Sequence, residues 1–124
     1  MIDRSNWNEH FEKTYKTFHI KPGTLNKIQQ KHTVYLHELE TALDDLCWVV
    51  RKNNSSDPKL PPGVVLSGQT YDVFCETADG RLLKVVGRLY SSGDFQIITV
   101  LPGSKLSPQD IDYYLKEKEL ICYE

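Results

Sequence analysis

The amino-acid sequence lacks any long apolar run, and its longest is far shorter than the roughly 18 residues that a membrane-spanning helix needs. The first residues, MIDRSNWNEHFEK, also lack the apolar centre of a signal peptide. We therefore expect a soluble, untargeted protein of the cytoplasm, with no membrane among its partners. At 124 residues the chain is long enough for one core and short for two, so we expect a single domain over residues 1–124.

The sequence also has little net charge. It contains 15 Lys and Arg residues against 17 Asp and Glu residues, a balance of −2. No global basic field favours nucleic-acid binding, so such a role requires a local basic patch. One candidate patch exists, because residues 13–31 contain five lysines and no acid, whereas residues 38–45 contain four acids and no base.

Cysteines are few, and none has the spacing of a metal site. Cys47, Cys75 and Cys122 are odd in number, widely separated and set among apolar residues, which is typical of buried thiols in a reducing compartment. The sequence has no Cys-x-x-Cys pair, no Cys/His pair at ligand spacing and no glycine-rich phosphate loop. We therefore expect neither a metal nor a cofactor.

The strongest positive signal is the stretch from Tyr71 to Pro102. It contains three runs rich in Val, Ile, Leu, Tyr and Phe, separated by turns at Asp79-Gly80 and Ser92-Gly93. Such runs favour strands, and glycine tolerates the positive φ angles of a tight turn. The stretch therefore predicts a three-stranded antiparallel meander.

Helices are predicted before the meander. A helix over residues 4–17 would place Trp7, Phe11 and Tyr15 on one face, and Phe18 follows directly at the same helical spacing. We expect this face to pack on the domain, and partner binding or base stacking is the alternative. After the Pro22-Gly23 break, two short helices meet at an elbow that carries Lys31 and His32.

The remaining elements complete an α+β pattern. Residues 46–52 are apolar and β-branched and predict a strand, whereas residues 53–68 are rich in turn formers and predict a loop. A closing helix begins at Pro108 with Ser107 as its cap and runs to about Lys118. The predicted fold has N-terminal helices, a four-stranded mainly antiparallel sheet that contains the meander, and a C-terminal helix.

Several short segments occur in an order that resembles a known family. They are Lys31-His32-Thr33-Val34, an acidic helix ending in Asp44-Asp45, Gly80-Arg81-Leu82-Leu83, Ile97-Ile98-Thr99 and a helix that begins at Ser107. This order resembles BrnT-type toxins, small ribonucleases of the RelE-like class, over residues 24–118. Residues 1–23 are then an N-terminal extension. The resemblance implies a metal-free endoribonuclease of a type II toxin–antitoxin system, with RNA as substrate and an antitoxin protein as partner.

Four positions depart from the family pattern. Gln96 and Val100 occupy places where the family carries arginines beside the Ile-Ile-Thr core. Thr33 follows the Lys-His pair where the family has glycine, and Tyr35 stands where the family has a small polar cap before the second helix. Arginines at those strand positions would hold a scissile phosphate. Their absence supports a second hypothesis, a non-catalytic α+β protein-interaction domain on the same scaffold.

The chemistry defines which residues an active ribonuclease needs. Attack of the 2′-hydroxyl on the adjacent phosphate requires a base, an acid for the leaving oxygen, and cations that stabilise the extra negative charge. The resemblance assigns Lys31, His32 and Arg81 to the catalytic site. Arg51 and Arg88 join them by proximity to the same sheet, since arginine contacts phosphate oxygens bidentately.

Each candidate also has a structural alternative. His32 can cap carbonyl groups at the elbow, and Arg51 and Arg81 can be solvated at a strand end and in a turn. Arg88 on the central strand would need a partner if both faces of the sheet are covered. The ribonuclease hypothesis predicts that His32, Arg51, Arg81 and Arg88 converge on one groove.

Overall fold

Four α-helices and five strands make up the computed structural model, which describes residues 4–44, 48–52 and 69–122. In chain order they are α1 (Arg4–Thr14), β1 (Thr17–Ile20), α2 (Pro22–His32), α3 (Leu36–Leu43), β2 (Val49–Lys52), β3 (Gln69–Glu76), β4 (Leu82–Leu89), β5 (Asp94–Pro102), a 3-10 turn (Gly103–Lys105) and α4 (Pro108–Cys122). The predicted loop over residues 53–68 lies outside the described residues, as does Cys47. Cys75 is buried, as predicted.

The predicted meander is confirmed. Strands β3, β4 and β5 pair antiparallel in sequence order. The two turns between them place Gly80 at φ 84° and Gly93 at φ 97°, a conformation that other residues rarely adopt. The glycines of these dipeptides therefore permit the two tight turns that join the strands.

The sheet has five strands, so the prediction of four was wrong. The additional strand is β1, which pairs parallel with β5 at one edge of the order β1-β5-β4-β3-β2. The predicted helix over residues 4–17 ends at Thr14, because the backbone N–H groups of Lys16 and Thr17 donate to the carbonyl oxygen of Gly93. Phe18 and Ile20 then pack against the core.

The main core lies between the sheet and the first three helices. Phe11 of α1 is fully buried and meets Trp48, Tyr71 and Phe95 edge to face, with ring centroids 5.1–5.8 Å apart. Burying a phenylalanine side chain stabilises a fold by about 2–3 kcal/mol. The face carrying Phe11 and the half-buried Tyr15 therefore packs on the domain, and the side chain of Trp7 lies outside the described part of the chain.

A second, smaller cluster lies on the opposite face of the sheet, beneath α4. Val49 and Phe74 pack there against Tyr113 and Tyr114, and burial raises the pKa of Tyr114 to about 12. The helix begins as predicted, since the N–H of Asp110 donates to Ser107 Oγ at 3.1 Å. Further along the same helix, Leu115 is 59% exposed.

None of the described helices is long and apolar enough to cross a membrane.

Candidate functional site

The main candidate site is a cavity of about 450 Å³ at one end of the sheet. It forms where the end of α2 meets the start of β4, the end of β5 and the 3-10 turn. The lining residues are Lys31, His32, Thr33, Arg81, Leu82, Leu83, Pro102, Gly103, Ser104 and Lys105. Three of the five residues predicted from the sequence, Lys31, His32 and Arg81, therefore lie together.

The elbow between α2 and α3 positions His32 in this cavity. Thr33 ends α2 with a left-handed backbone, at φ 54° and ψ 41°, and its N–H donates to Gln29 O. The next residue, Val34, is fully buried and donates its N–H to Ile28 O. These contacts satisfy the last carbonyl groups of the helix and turn the chain sharply just after His32.

The imidazole of His32 is half-buried, and its Nδ1 atom is buried with no hydrogen-bond partner among the described residues. The structural alternative for this residue was a cap on carbonyl groups, and no described carbonyl contacts Nδ1. A hydrogen bond at one ring nitrogen usually selects the tautomer of a histidine. No hydrogen bond to Nδ1 from the described residues therefore selects the tautomer of His32.

Arg81, which lines the cavity, connects the start of β4 with the elbow and with α3. It forms an ion pair with Glu38 of α3 and donates from Nη1 to Thr33 O at 3.3 Å. Its Nε lies 3.6 Å from Asp79 Oδ2. The hydrogen bond with Arg81 lowers the pKa of Glu38, and the same contact raises the pKa of Arg81. Arg81 is thus neither a fully solvated turn arginine nor a free cation.

Lys31 and Lys105 supply the unpaired positive charge of the cavity. Both residues are exposed, and neither has a carboxylate within 4 Å among the described residues. Lys105 stands next to Ser104 in the short turn that follows β5. Sequence reasoning missed Ser104 and Lys105. The Pro102-Gly103 pair indicates a break in the chain, but only the pairing of β4 with β5 brings that break beside the elbow.

Arg51 lies elsewhere, on the sheet face that α4 covers. Its Nη2 atom donates to Asp72 Oδ2 at 2.7 Å and to Asp110 Oδ1 at 2.8 Å. Lys84 completes the group, with Nζ 3.1 Å from Asp110 Oδ2 and 3.8 Å from Asp72 Oδ2. Burial opposes ionisation of Asp110, but the hydrogen bonds from Arg51 and Lys84 outweigh it and lower its pKa. We call these four residues the α4 ion cluster.

Arg88 also lies away from the cavity. It is six residues from Leu82 along β4, which corresponds to about 20 Å at the rise of a strand. Alternate residues of β4 are buried and half-buried, so the sheet is not fully covered on both faces. Arg88 has no ion pair with any described residue. The expectation that His32, Arg51, Arg81 and Arg88 converge on one groove was therefore wrong for Arg51 and Arg88, and the dispersal of these two arginines counts against the ribonuclease hypothesis.

The described residues contain no group of three His, Cys, Asp or Glu side chains placed to hold a metal ion. No protein-family model matches the chain, and no curated protein matches it either. The family resemblance therefore rests on the pattern of residues alone.

Proposed function

We propose that this protein binds RNA at the cavity beside the elbow and cleaves it without a metal, as a BrnT-like toxin. The observation that carries the proposal is the convergence of Lys31, His32 and Arg81, which are separated by up to 50 residues in sequence, around one cavity that also contains Lys105. Lys31 and Lys105, which have no acidic partner in the part of the chain that the structure describes, supply local positive charge on a chain whose net charge is −2.

The proposed reaction assigns the proton transfer to His32. Its imidazole takes the proton of a 2′-hydroxyl, whose oxygen then attacks the adjacent phosphorus atom. The ammonium groups of Lys31 and Lys105 stabilise the additional negative charge on the phosphate oxygens. The bond to the 5′-oxygen breaks, and this oxygen takes a proton from water or a lysine. The products are a 2′,3′-cyclic phosphate and a free 5′-hydroxyl.

Arg81 has a supporting role in this proposal. Because Glu38 and Asp79 already oppose its charge, Arg81 holds the elbow against the start of β4 and so positions Lys31 and His32. Arg51 and Arg88 take no part in the reaction, since they lie outside the cavity.

A protein partner is part of the same proposal. The half-buried side chains of Val86, Arg88 and Gln96 lie on the sheet face away from α1 to α3, because the residues that alternate with them belong to the main core. An antitoxin that covers this face would pair with Arg88. The same surface favours the second candidate function, a non-catalytic protein-interaction domain, which needs Arg88 and not His32.

Induced expression of the wild type beside single variants tests the proposal. We expect the wild type to arrest growth and fragment cellular RNA, and both His32→Ala and Lys105→Ala to relieve the arrest. His19→Ala is the matched control, since His19 is exposed on β1 and pairs with Asp94 outside the cavity. Purified protein should retain RNA cleavage in the presence of a metal chelator.

Two outcomes would contradict the proposed function. One is a wild-type protein that leaves growth and RNA intact, and the other is an arrest that His32→Ala does not relieve. If the purified protein does not act on RNA, but captures a protein partner that Arg88→Ala releases, the interaction-domain hypothesis is supported instead.

A further inference from the structure

Exposed side chains lie at the start of α3, next to the cavity, and they include the stacked rings of Tyr35 and His37. Tyr35 is 43% exposed and Leu36 is 38% exposed, so two of the three large hydrophobic residues exposed in the described chain are adjacent here. The ring of Tyr35 stacks on the imidazole of His37, with centroids 6.0 Å apart and planes 12° apart. We call Tyr35 and His37 the aromatic platform.

The platform is held in place through Glu38, which pairs with Arg81 of the cavity lining. The N–H of Tyr35 donates to Glu38 Oε1 at 3.1 Å, and the second carboxylate oxygen of Glu38 pairs with Arg81. The preceding residue, Val34, is fully buried and anchors the backbone. The tyrosine ring is therefore exposed on a backbone that is fixed, which lowers the conformational entropy lost on binding.

The platform is also close to the cavity. Thr33 lines the cavity and Tyr35 follows it by two residues, so their Cα atoms are at most about 7 Å apart. A ligand that fills the cavity and extends over the elbow would meet cationic groups first and an aromatic face next. This order matches a nucleotide, which has a phosphate at one end and a flat base at the other.

We propose that the aromatic platform stacks a nucleobase of single-stranded RNA whose phosphate occupies the cavity. The inference rests on the proposed function and adds the class of RNA. In a duplex the bases are already stacked on one another and paired, whereas an unpaired base can stack on an exposed aromatic side chain. Stacking on Tyr35 tolerates any base, since every base has a π-face. The preferred substrate is therefore a single strand of broad sequence.

Binding of a short oligonucleotide tests this inference. The probe is a single strand of 2′-deoxynucleotides, which lacks the attacking hydroxyl and stays intact, with 2-aminopurine placed at successive positions. We expect Tyr35→Ala to raise the dissociation constant of the probe at least about fivefold, which corresponds to the lower end of the free energy for stacking one base. Tyr35→Phe keeps an aromatic ring and should bind with the affinity of the wild type. Leu115→Ala is the control, since Leu115 is 59% exposed on α4.

A second readout does not depend on a variant. Stacking should quench 2-aminopurine fluorescence on addition of the wild-type protein at one position of the probe, and the duplex form should show no such quenching. Absence of quenching at every position, or equal affinity of the wild type and Tyr35→Ala, overturns the platform. In that case RNA cleavage that depends on His32 leaves the proposed function standing. If the wild-type protein binds no single-stranded probe, the platform is overturned. If the wild-type protein also fails to cleave RNA, the proposed function is overturned too.

Discussion

The cavity and the α4 ion cluster contain the same kinds of basic residue in opposite electrostatic situations. In the cluster, Arg51 and Lys84 contact two carboxylates, and the side chain of Asp72 is only 3% exposed. At the cavity, Lys31 and Lys105 have no carboxylate within 4 Å among the described residues. The comparison shows that pairing, and not residue type, separates a structural cation from one that can meet a ligand.

The physical reason lies in the cost of removing charge from water. A buried ion requires a partner of opposite charge, and a group that loses its partner is strongly destabilising. An exposed ammonium group remains hydrated and contributes little to stability. Arg81 lies between these situations, since it borders the cavity but is paired with Glu38.

The largest expected effect is on stability, at the α4 ion cluster. Arg51→Met removes the cation that bridges Asp72 and Asp110, and it should lower the free energy of unfolding by about 2–3 kcal/mol, because the buried carboxylate of Asp72 loses a guanidinium partner at 2.7 Å. Urea denaturation measures this change. The matched control, Lys105→Ala, should alter stability by less than about 0.5 kcal/mol. If Arg51→Met and Lys105→Ala lowered the free energy of unfolding equally, this would contradict the distinction between the paired cations of the cluster and the lysines of the cavity.

The second expected effect is on the acid sensitivity of the same cluster. The pKa of Asp110 is lowered in the folded protein, so its contribution to stability is present above its unfolded pKa of about 3.9 and is lost as the pH falls through the folded value. Asp110→Asn should therefore lower stability at pH 6, by about 1–2 kcal/mol.

Urea denaturation over a series of pH values checks the sign of this effect. The difference between wild type and Asp110→Asn should narrow as the pH falls below about 4, where the wild-type carboxyl also becomes neutral. A difference that stays constant down to pH 2 would show that the carboxylate charge is not responsible.

The smallest expected effect concerns Arg81, the paired cation beside the cavity. Glu38→Gln removes the charge that opposes Arg81 and keeps an oxygen that can accept from Tyr35 N–H. Stability should fall by less than about 1 kcal/mol, since the Arg81 side chain is 38% exposed. Affinity for a single-stranded oligonucleotide should rise slightly, and the gain should shrink at high salt.

Glu9→Gln is the matched control for this change of charge. Glu9 pairs with Lys13 on the surface of α1, and both side chains are more than half exposed. An equal gain in affinity for both variants would show an effect of net charge alone, independent of the cavity.

Local signals in the sequence predicted most of the elements of the fold. The dipeptides with glycine at positions 80 and 93 and the serine cap at Ser107 each act through backbone conformation within a few residues. The predicted break at Pro22-Gly23 was wrong, because both residues belong to the first turn of α2, whose N-cap is Lys21. Strand β1 was missed because it has only four residues, Thr17 to Ile20, and exists through pairing with β5, more than 70 residues away. Its alternation of polar and apolar side chains was the available signal.

The site was predicted in part for the same reason. Lys31 and His32 are neighbours at an elbow that the helix pattern reveals, so they were found together. Lys105 was missed, because a lysine that follows a Gly-Ser pair matches no local sequence pattern that indicates a functional residue. Arg51 was grouped with the wrong residues, since strand alternation places it on the face of α4 and its carboxylate partners come from other elements.

Propensity, capping and turn conformation depend on near neighbours, so most of the elements, their turns and the residues able to do chemistry follow from the local sequence. Which basic residues are paired depends on contacts between distant elements. Asp72 and Asp110 lie 21 and 59 residues from Arg51 in sequence, and Glu38 lies 43 residues from Arg81. These pairs form through the register of the sheet and the docking of α3 and α4. By the same packing, Lys31, His32 and Lys105 face one cavity.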